Sequence, residues 1–213
     1  MTTRLKIDQP RDALLVIDVQ NDFCTGGALA VAAGDEVVAV INCLSRHFGH
    51  AVLTQDWHPS GHSSFASSHP GQAAFGTIDV AYGPQTLWPD HCVQGTPGAA
   101  FRADLEVPCA ELIVRKGFRP AIDSYSAFFE NDRQTPTGLT GYLRERGFTR
   151  VFLAGLATDY CVAYSALDAR RQGFEAVVLL DACRAIDLQG SLDAALVSMR
   201  AAGVTLAASV DIG

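Results

Sequence analysis

Val151-Phe152-Leu153-Ala154-Gly155-Leu156-Ala157-Thr158-Asp159-Tyr160-Cys161 is the stretch on which the reading of this chain turns. Val151 to Ala154 is a short apolar run that reads as a buried strand, and an alanine-rich helical pattern follows Cys161. A strand handing over to a helix is the repeating unit of a parallel α/β sheet. The handover puts Cys161 where unpaired helix amides and the positive end of the helix dipole lower a thiol's pKa. Thr158 or Asp159 can cap the turn through a side-chain oxygen. Taken alone, the stretch fits an inert buried cysteine equally well.

Working outward, the same pattern repeats. The residues to about Arg11 are a polar lead-in. Ala13 to Val19 is apolar but for Asp18, without alternation, as in a strand buried on both faces. Asn21 to Gly27 is a loop. Val37, Ile41, Leu44 and Phe48 recur at helical steps, predicting a helix over Asp35 to Phe48 that stops at Gly49. Ala51 to Thr54 is the next strand, so the pair forms a parallel βαβ unit. Residues 59–110 read as irregular, rich in Gly, Pro, Ser and His, and a stretch that long suggests functional loops. Further strands are expected at Glu111 to Arg115, Ala176 to Asp181 and Val204 to Leu206. Helices are expected from Leu139 to near Gly147, from Cys161 to near Gly173, and from Ser191 to Ala202 with Gly203 as C-cap. The predicted fold is α/β: a doubly wound, mainly parallel six-stranded sheet with helices on both faces. It is expected as one domain over residues 1–213, with a long metal and substrate loop region at about 56–110.

The bulk numbers narrow the function. The chain has 213 residues, 48% hydrophobic and 18% charged, with a formal net charge of −7. Such a chain can bury a large core. Its acidity argues against nucleic acid and anionic membrane as partners. No apolar run approaches the ~20 residues of a membrane span, and the start does not resemble a signal peptide. Six scattered cysteines without a CxxC pair suit reduced thiols in a cytoplasmic setting. The oligomeric state, monomer or homo-oligomer, is left open.

Two constellations carry chemistry. Asp18, Lys116 and Cys161 each fall at or just beyond a strand end, and in open parallel sheets those ends line the ligand crevice. Together they offer a base, an electrostatic partner and a nucleophile. Asp18 can take the thiol proton and return it to a leaving nitrogen, and amides of the Ala157–Cys161 turn can stabilise an oxyanion. The second constellation is Asp56-x-His58 with His62 and His91. Carboxylate and imidazole suit zinc, iron or manganese, although a strand-end Asp and His also make a plain hydrogen-bonded pair. Phe23 and Trp88 lie in nearby loops and can be core residues or the walls of a flat slot for a planar ring.

Five ordered blocks now coincide: Ile17 to Cys24, Gln55 to Pro59, Trp88 to Thr96, Lys116-Gly117 with Asp123 to Phe128, and Gly155 to Val162. In these the chain resembles the nicotinamidase/pyrazinamidase family of isochorismatase-like cysteine hydrolases, almost end to end. The resemblance implies Asp18, Lys116 and Cys161 as catalytic triad, with a thioester on Cys161 and an oxyanion hole of the Ala157 and Cys161 amides. It implies Asp56, His58 and His91 as ligands of one divalent metal, zinc first and iron or manganese next, with His62 or Ser60 as further candidates. It implies Phe23 and Trp88 around the substrate ring, with Leu156 and Tyr125 also at the substrate and a cis peptide between Leu156 and Ala157. The activity it implies is hydrolysis of nicotinamide to nicotinate and ammonia in NAD salvage, with pyrazinamide also cleaved. The alternative is a related cysteine amidohydrolase acting on another small amide or ureido substrate. A silent binding protein on this fold and a redox thiol protein are further readings, which the complete triad and the lack of a CxxC weigh against.

Overall fold

The structure, a computed structural model, describes residues 4–213. Met1 to Thr3, the first part of the expected lead-in, lie outside the described residues. The strands are β1 (Asp12–Ile17), β2 (Ala51–Asp56), β3 (Thr77–Val80), β4 (Gly83–Thr86), β5 (Ala110–Lys116), β6 (Arg150–Leu156), β7 (Glu175–Arg184) and β8 (Thr205–Ala207). The helices are α1 (Glu36–Ser45), α2 (Leu139–Glu145), α3 (Ala163–Arg171) and α4 (Ser191–Ala201). Six strands form one sheet in the order β5-β2-β1-β6-β7-β8, every neighbouring pair parallel. Winding runs outward from β1 through β2 to β5. It then restarts on the other side of β1 with β6, β7 and β8. The gap between the C-terminal ends of β1 and β6 is therefore the switch point where such sheets bind ligands.

The apolar strands are buried on both faces because each face has its own core. Leu14, Val16, Phe152, Ala154, Val177 and Leu179 pack with Val37, Ile41 and Leu44 of α1. Their neighbours in sequence, Ala13, Leu15, Ile17, Val151, Leu153 and Val178, face Leu139 and Leu143 of α2, Ala166 and Ala169 of α3, and Met199 of α4. Alternation along the pleat thus splits each run between two cores. Each such side chain contributes roughly 1.5–3 kcal/mol by leaving water.

Several elements differ from the sequence pattern. The helix expected from Asp35 to Phe48 is shorter, because its last residues close a turn: His47 N–H donates to Leu44 O at 2.9 Å and Phe48 N–H to Ser45 O. The residues after Thr3 are more than a lead-in, since Leu5 pairs with Ile212 near the other terminus. The region read as irregular holds the antiparallel hairpin β3–β4. Its first strand, Thr77-Ile78-Asp79-Val80, alternates over only four residues, and its partner Gly83-Pro84-Gln85-Thr86 is polar and contains proline, which is why the region reads as loop. No helix among the described residues is long and apolar enough to cross a membrane.

Candidate active site

Cys161 does not sit at the first turn of a plain α-helix. β6 ends at Leu156, a cis peptide joins Leu156 to Ala157, and residues Thr158–Val162 form a π-helical turn before α3. The amides of Tyr160 and Val162 both donate to Ala157 O, at 3.1 Å each. Gly155 makes this exit possible: its φ is +126°, and a Cβ there would lie 2.1 Å from Ile17 O. No side chain caps the turn. The capping role expected of Thr158 or Asp159 is absent, because the Asp159 carboxylate turns instead to the segment after β7.

The structure brings Asp18, Lys116 and Cys161 together at the switch point. Asp18 follows β1 with φ at +49°, a left-handed conformation that aspartate tolerates better than most residues. Lys116 ends β5 and reaches across β2. Its Nζ lies 2.8 Å from Asp18 Oδ2, 2.7 Å from Asp56 Oδ1, 2.9 Å from Ser124 O and 3.5 Å from Cys161 Sγ. Asp18 and Lys116 are fully buried. Thr54, in β2, donates through Oγ1 to Asp18 Oδ1 at 2.6 Å and leaves Oδ2 to the lysine.

Electrostatics follow from this packing. Burial raises the Asp18 pKa, the Asp56 charge adds to that, and Lys116 opposes it. Burial works against the charge on Lys116, yet the carboxylates of Asp18 and Asp56 hold its pKa well above the usual lysine value. Burial also drives the Cys161 thiol well above its ordinary value, against the pull of Lys116. Burial thus works against a preformed thiolate, while Lys116 works for one. A protonated thiol beside a carboxylate of raised pKa suits transfer of the proton as the sulfur attacks.

Next to the triad, Asp56 Oδ2 lies 3.3 Å from His58 Nε2 and 3.6 Å from His91 Nε2, all three residues buried. The other ring nitrogens are engaged: His58 Nδ1 with Gly117 O at 2.9 Å and His91 Nδ1 with Pro89 O at 2.8 Å. With Nδ1 as donor, each ring turns the lone pair of Nε2 towards one carboxylate oxygen. That is the orientation and donor set of a divalent metal site, and these three residues fit one. Gly117 is needed beside it, since a Cβ there would lie 2.5 Å from His58 Cε1. His62 has both nitrogens occupied, Nδ1 by Ser64 and Nε2 by Arg119 O at 2.9 Å, and so does not turn a lone pair to this group. Ser60 is exposed and belongs to neither metal-compatible cluster. Asp123, which the sequence marks only as part of the Asp123 to Phe128 block and not as a ligand, forms a second cluster with His58 and His62.

A narrow slot leads to Cys161. Phe23, Leu29, Trp88, Tyr125, Tyr160 and Ile186 line it, with Asp56, His91 and Asp123 as its polar side. Tyr125 accepts a hydrogen bond from Trp88 Nε1 at 3.1 Å, which fixes that wall. Leu156 does not line the slot: its side chain is fully buried in the core, so a direct substrate contact from it is not seen. Thr54, Leu29 and Ile186 are site residues that sequence reasoning passed over. Thr54 lies in β2, where packing is the plain explanation, and Leu29 and Ile186 lie in connections between elements, where no local pattern marks a wall residue. A wider cleft beyond Tyr160, between α3 and α4, contains none of the triad.

Residues 12–211 match the model of the isochorismatase domain. The chain is 54% identical over 200 residues to the nicotinamidase of Acinetobacter baylyi, covering 94% of each protein. The chain belongs to the isochorismatase family. Within that family it groups with the nicotinamidases and pyrazinamidases, and the sheet described above is the isochorismatase-like hydrolase fold. Among solved structures, PnC1 from L. infantum in complex with nicotinate superimposes with a TM-score of 0.87 at 38% identity, covering 99% of this chain and 98% of that one. The pyrazinamidase of Pyrococcus horikoshii in complex with zinc gives a TM-score of 0.76 at 37% identity, covering 93% and 99%.

Proposed function

We propose that this isochorismatase-family chain is a nicotinamidase, hydrolysing nicotinamide to nicotinate and ammonia and accepting pyrazinamide as a second substrate. The observation that carries the reading is the single ammonium of Lys116, which touches Asp18, Asp56 and Cys161 at the end of an aromatic slot. That contact ties a nucleophile, its base and a metal-compatible carboxylate into one unit.

In this reading the ring enters between Phe23 and Trp88 and its amide carbon comes to rest beside Cys161 Sγ. The thiol passes its proton to Asp18 as sulfur attacks, so that no free thiolate is formed in a buried site. The Ala157 and Cys161 amides receive the negative oxygen. Asp18 then gives the proton to the departing nitrogen, and ammonia leaves a thioester on Cys161. Water, losing its proton to Asp18, releases the acid and restores the thiol. Lys116 keeps its charge throughout and offsets the carboxylates on either side. Asp56, His58 and His91 would hold one divalent cation, for which zinc, the metal of the Pyrococcus relative, is the first candidate. Bound there, the cation supplies a Lewis-acid anchor for a ring nitrogen. The reading assigns the chain to pyridine nucleotide salvage in the cytoplasm, a compartment that suits its six free cysteines.

The test is ammonia release from nicotinamide by purified protein, before and after chelation and metal add-back. Release lost on chelation and restored by metal supports both halves of the site. Release that survives chelation removes the metal from substrate binding. No release from metal-replete protein overturns the substrate assignment.

A further inference from the structure

Asp159 is a buried carboxylate two residues from the nucleophile that the chemistry above does not use. Its Oδ1 accepts from Ile186 N–H at 3.0 Å, and its Oδ2 accepts from Asp187 N–H at 2.8 Å and Ser191 Oγ at 2.5 Å. Two of these donors lie in the connection from β7 to α4, and the third, Ser191, is the first residue of α4. That connection does not hold its shape by ordinary backbone preference. Asp187 and Gln189 both have φ of +54°, and Gly190 has +82°. Non-glycine residues in this region are sparsely populated, and persist where surrounding structure fixes them. Here the fixing group is one carboxylate satisfied by three donors, the stronger, charge-assisted kind of hydrogen bond.

Ile186, the first residue so held, is a wall of the substrate slot alongside Tyr160 and Leu29. It is also packed against the core cluster that contains Phe23 and Trp88. Asp159 itself belongs to the turn that carries Cys161. One side chain therefore ties the turn that carries Cys161 to the segment that supplies Ile186, another lining residue of the slot.

We propose that Asp159 is a positioning residue that sets the width of the slot, fastening segment 186–191 to the Cys161 turn so that Ile186 bears on the substrate ring. The proposal rests on the reading of this slot as the nicotinamide site. Its consequence is a specificity device remote from the reacting atoms: the place of one lining side chain is set by an ion-to-amide clasp, and chemistry is left to the triad.

The experiment compares Asp159→Asn and Ile186→Ala in the full, metal-replete protein. The readouts are steady-state kinetics with nicotinamide and amide hydrogen exchange of residues 186–191 without substrate. Asparagine keeps one acceptor and turns its amide N–H groups towards donors, so it opens the clasp at constant size. Asp159→Asn is expected to speed exchange across 186–191 and raise KM about tenfold, with kcat changed less than about threefold. Ile186→Ala should raise KM by a similar factor with exchange unaltered. A fall in kcat at constant KM, or unaltered exchange in Asp159→Asn, overturns the proposal. If Asp159→Asn does not fold, Ser191→Ala removes a single bond of the three. It should then raise exchange and KM in the same direction, and no change in either overturns the proposal. Failure of the nicotinamide reading is seen separately, as absence of ammonia release by the unaltered protein, while the exchange measurement still decides whether Asp159 holds the loop.

Discussion

The two halves of the site are built differently. Asp18 and Lys116 stand at the ends of adjacent or near-adjacent parallel strands, and their spacing is set by sheet register, with Gln55 opposite Arg115 and Asp56 opposite Lys116. The ring slot is assembled from loops distant in sequence. Asp22 accepts from Cys92 N–H at 2.7 Å, Gln85 donates to Asp123 at 2.7 Å, and Asp159 holds the segment of Ile186. Scaffold geometry thus serves bond-making, and side-chain clasps between distant segments serve recognition. The difference predicts a kinetic division: lesions in the strand-end half should appear in kcat, and lesions in the loop half in KM.

The largest expected effect is in the strand-end half. Cys161→Ala should lower kcat by about 10⁴-fold or more, since a nucleophile has no substitute. Its affinity for nicotinamide, measured calorimetrically, should stay close to that of the unaltered protein. Loss of affinity with turnover retained would break both the nucleophile assignment and the division. Next is His91→Ala, which sits on the boundary. It should strip bound metal, measured by elemental analysis, and raise KM by about 100-fold. Unaltered metal content would show that Asp56, His58 and His91 are not the ligands.

How much of this was legible in the sequence follows the same boundary. Apolar runs ending in Asp18 and Lys116 announced a parallel sheet with chemistry at its C-terminal edge, because register carries local pattern into space. The blocks around Asp56, His58 and His91 were legible through resemblance, since Asp-x-His alone is a weak spacing. The hairpin β3–β4 was not legible, because Thr77-Ile78-Asp79-Val80 pairs with the polar, proline-containing Gly83-Pro84-Gln85-Thr86. Nor was Ile186 visible as a wall residue. Its position depends on Asp159, 27 residues earlier, and on left-handed residues at Asp187 and Gln189 that no propensity favours. The thiol's electrostatics were misjudged for a related reason: a helix terminus is a local feature, whereas burial is a property of the whole fold.

Thr54→Val tests the strand-end half more gently. Thr54 donates to the charged form of Asp18, so its loss raises further a pKa already raised by burial and by the Asp56 charge. Asp18 must be ionised to receive the thiol proton. Activity is therefore present above its pKa and fades as pH falls through it. In the unaltered protein the acid limb of kcat/KM should lie above the ordinary carboxylate range. In Thr54→Val it should move further up, with kcat near neutrality lowered about tenfold. An acid limb that stays in place would show that Asp18 is not the titrating base.

The smallest expected effect belongs to the slot. Tyr125 receives hydrogen bonds from Trp88 Nε1 at 3.1 Å and Gln85 Nε2 at 3.2 Å. Tyr125→Phe keeps the ring but removes the acceptor, leaving the indole N–H to find water at the slot. The loss should cost about 1 kcal/mol of stability, the ordinary net value of one hydrogen bond, read as a small fall in Tm. Trp88 should then move more freely, and KM should rise about threefold with kcat unaltered, because the triad lies on other elements. A fall in kcat of the same size would erase the division. It would mean that the aromatic wall also aligns the amide carbon with Cys161, so that recognition and bond-making share one structure.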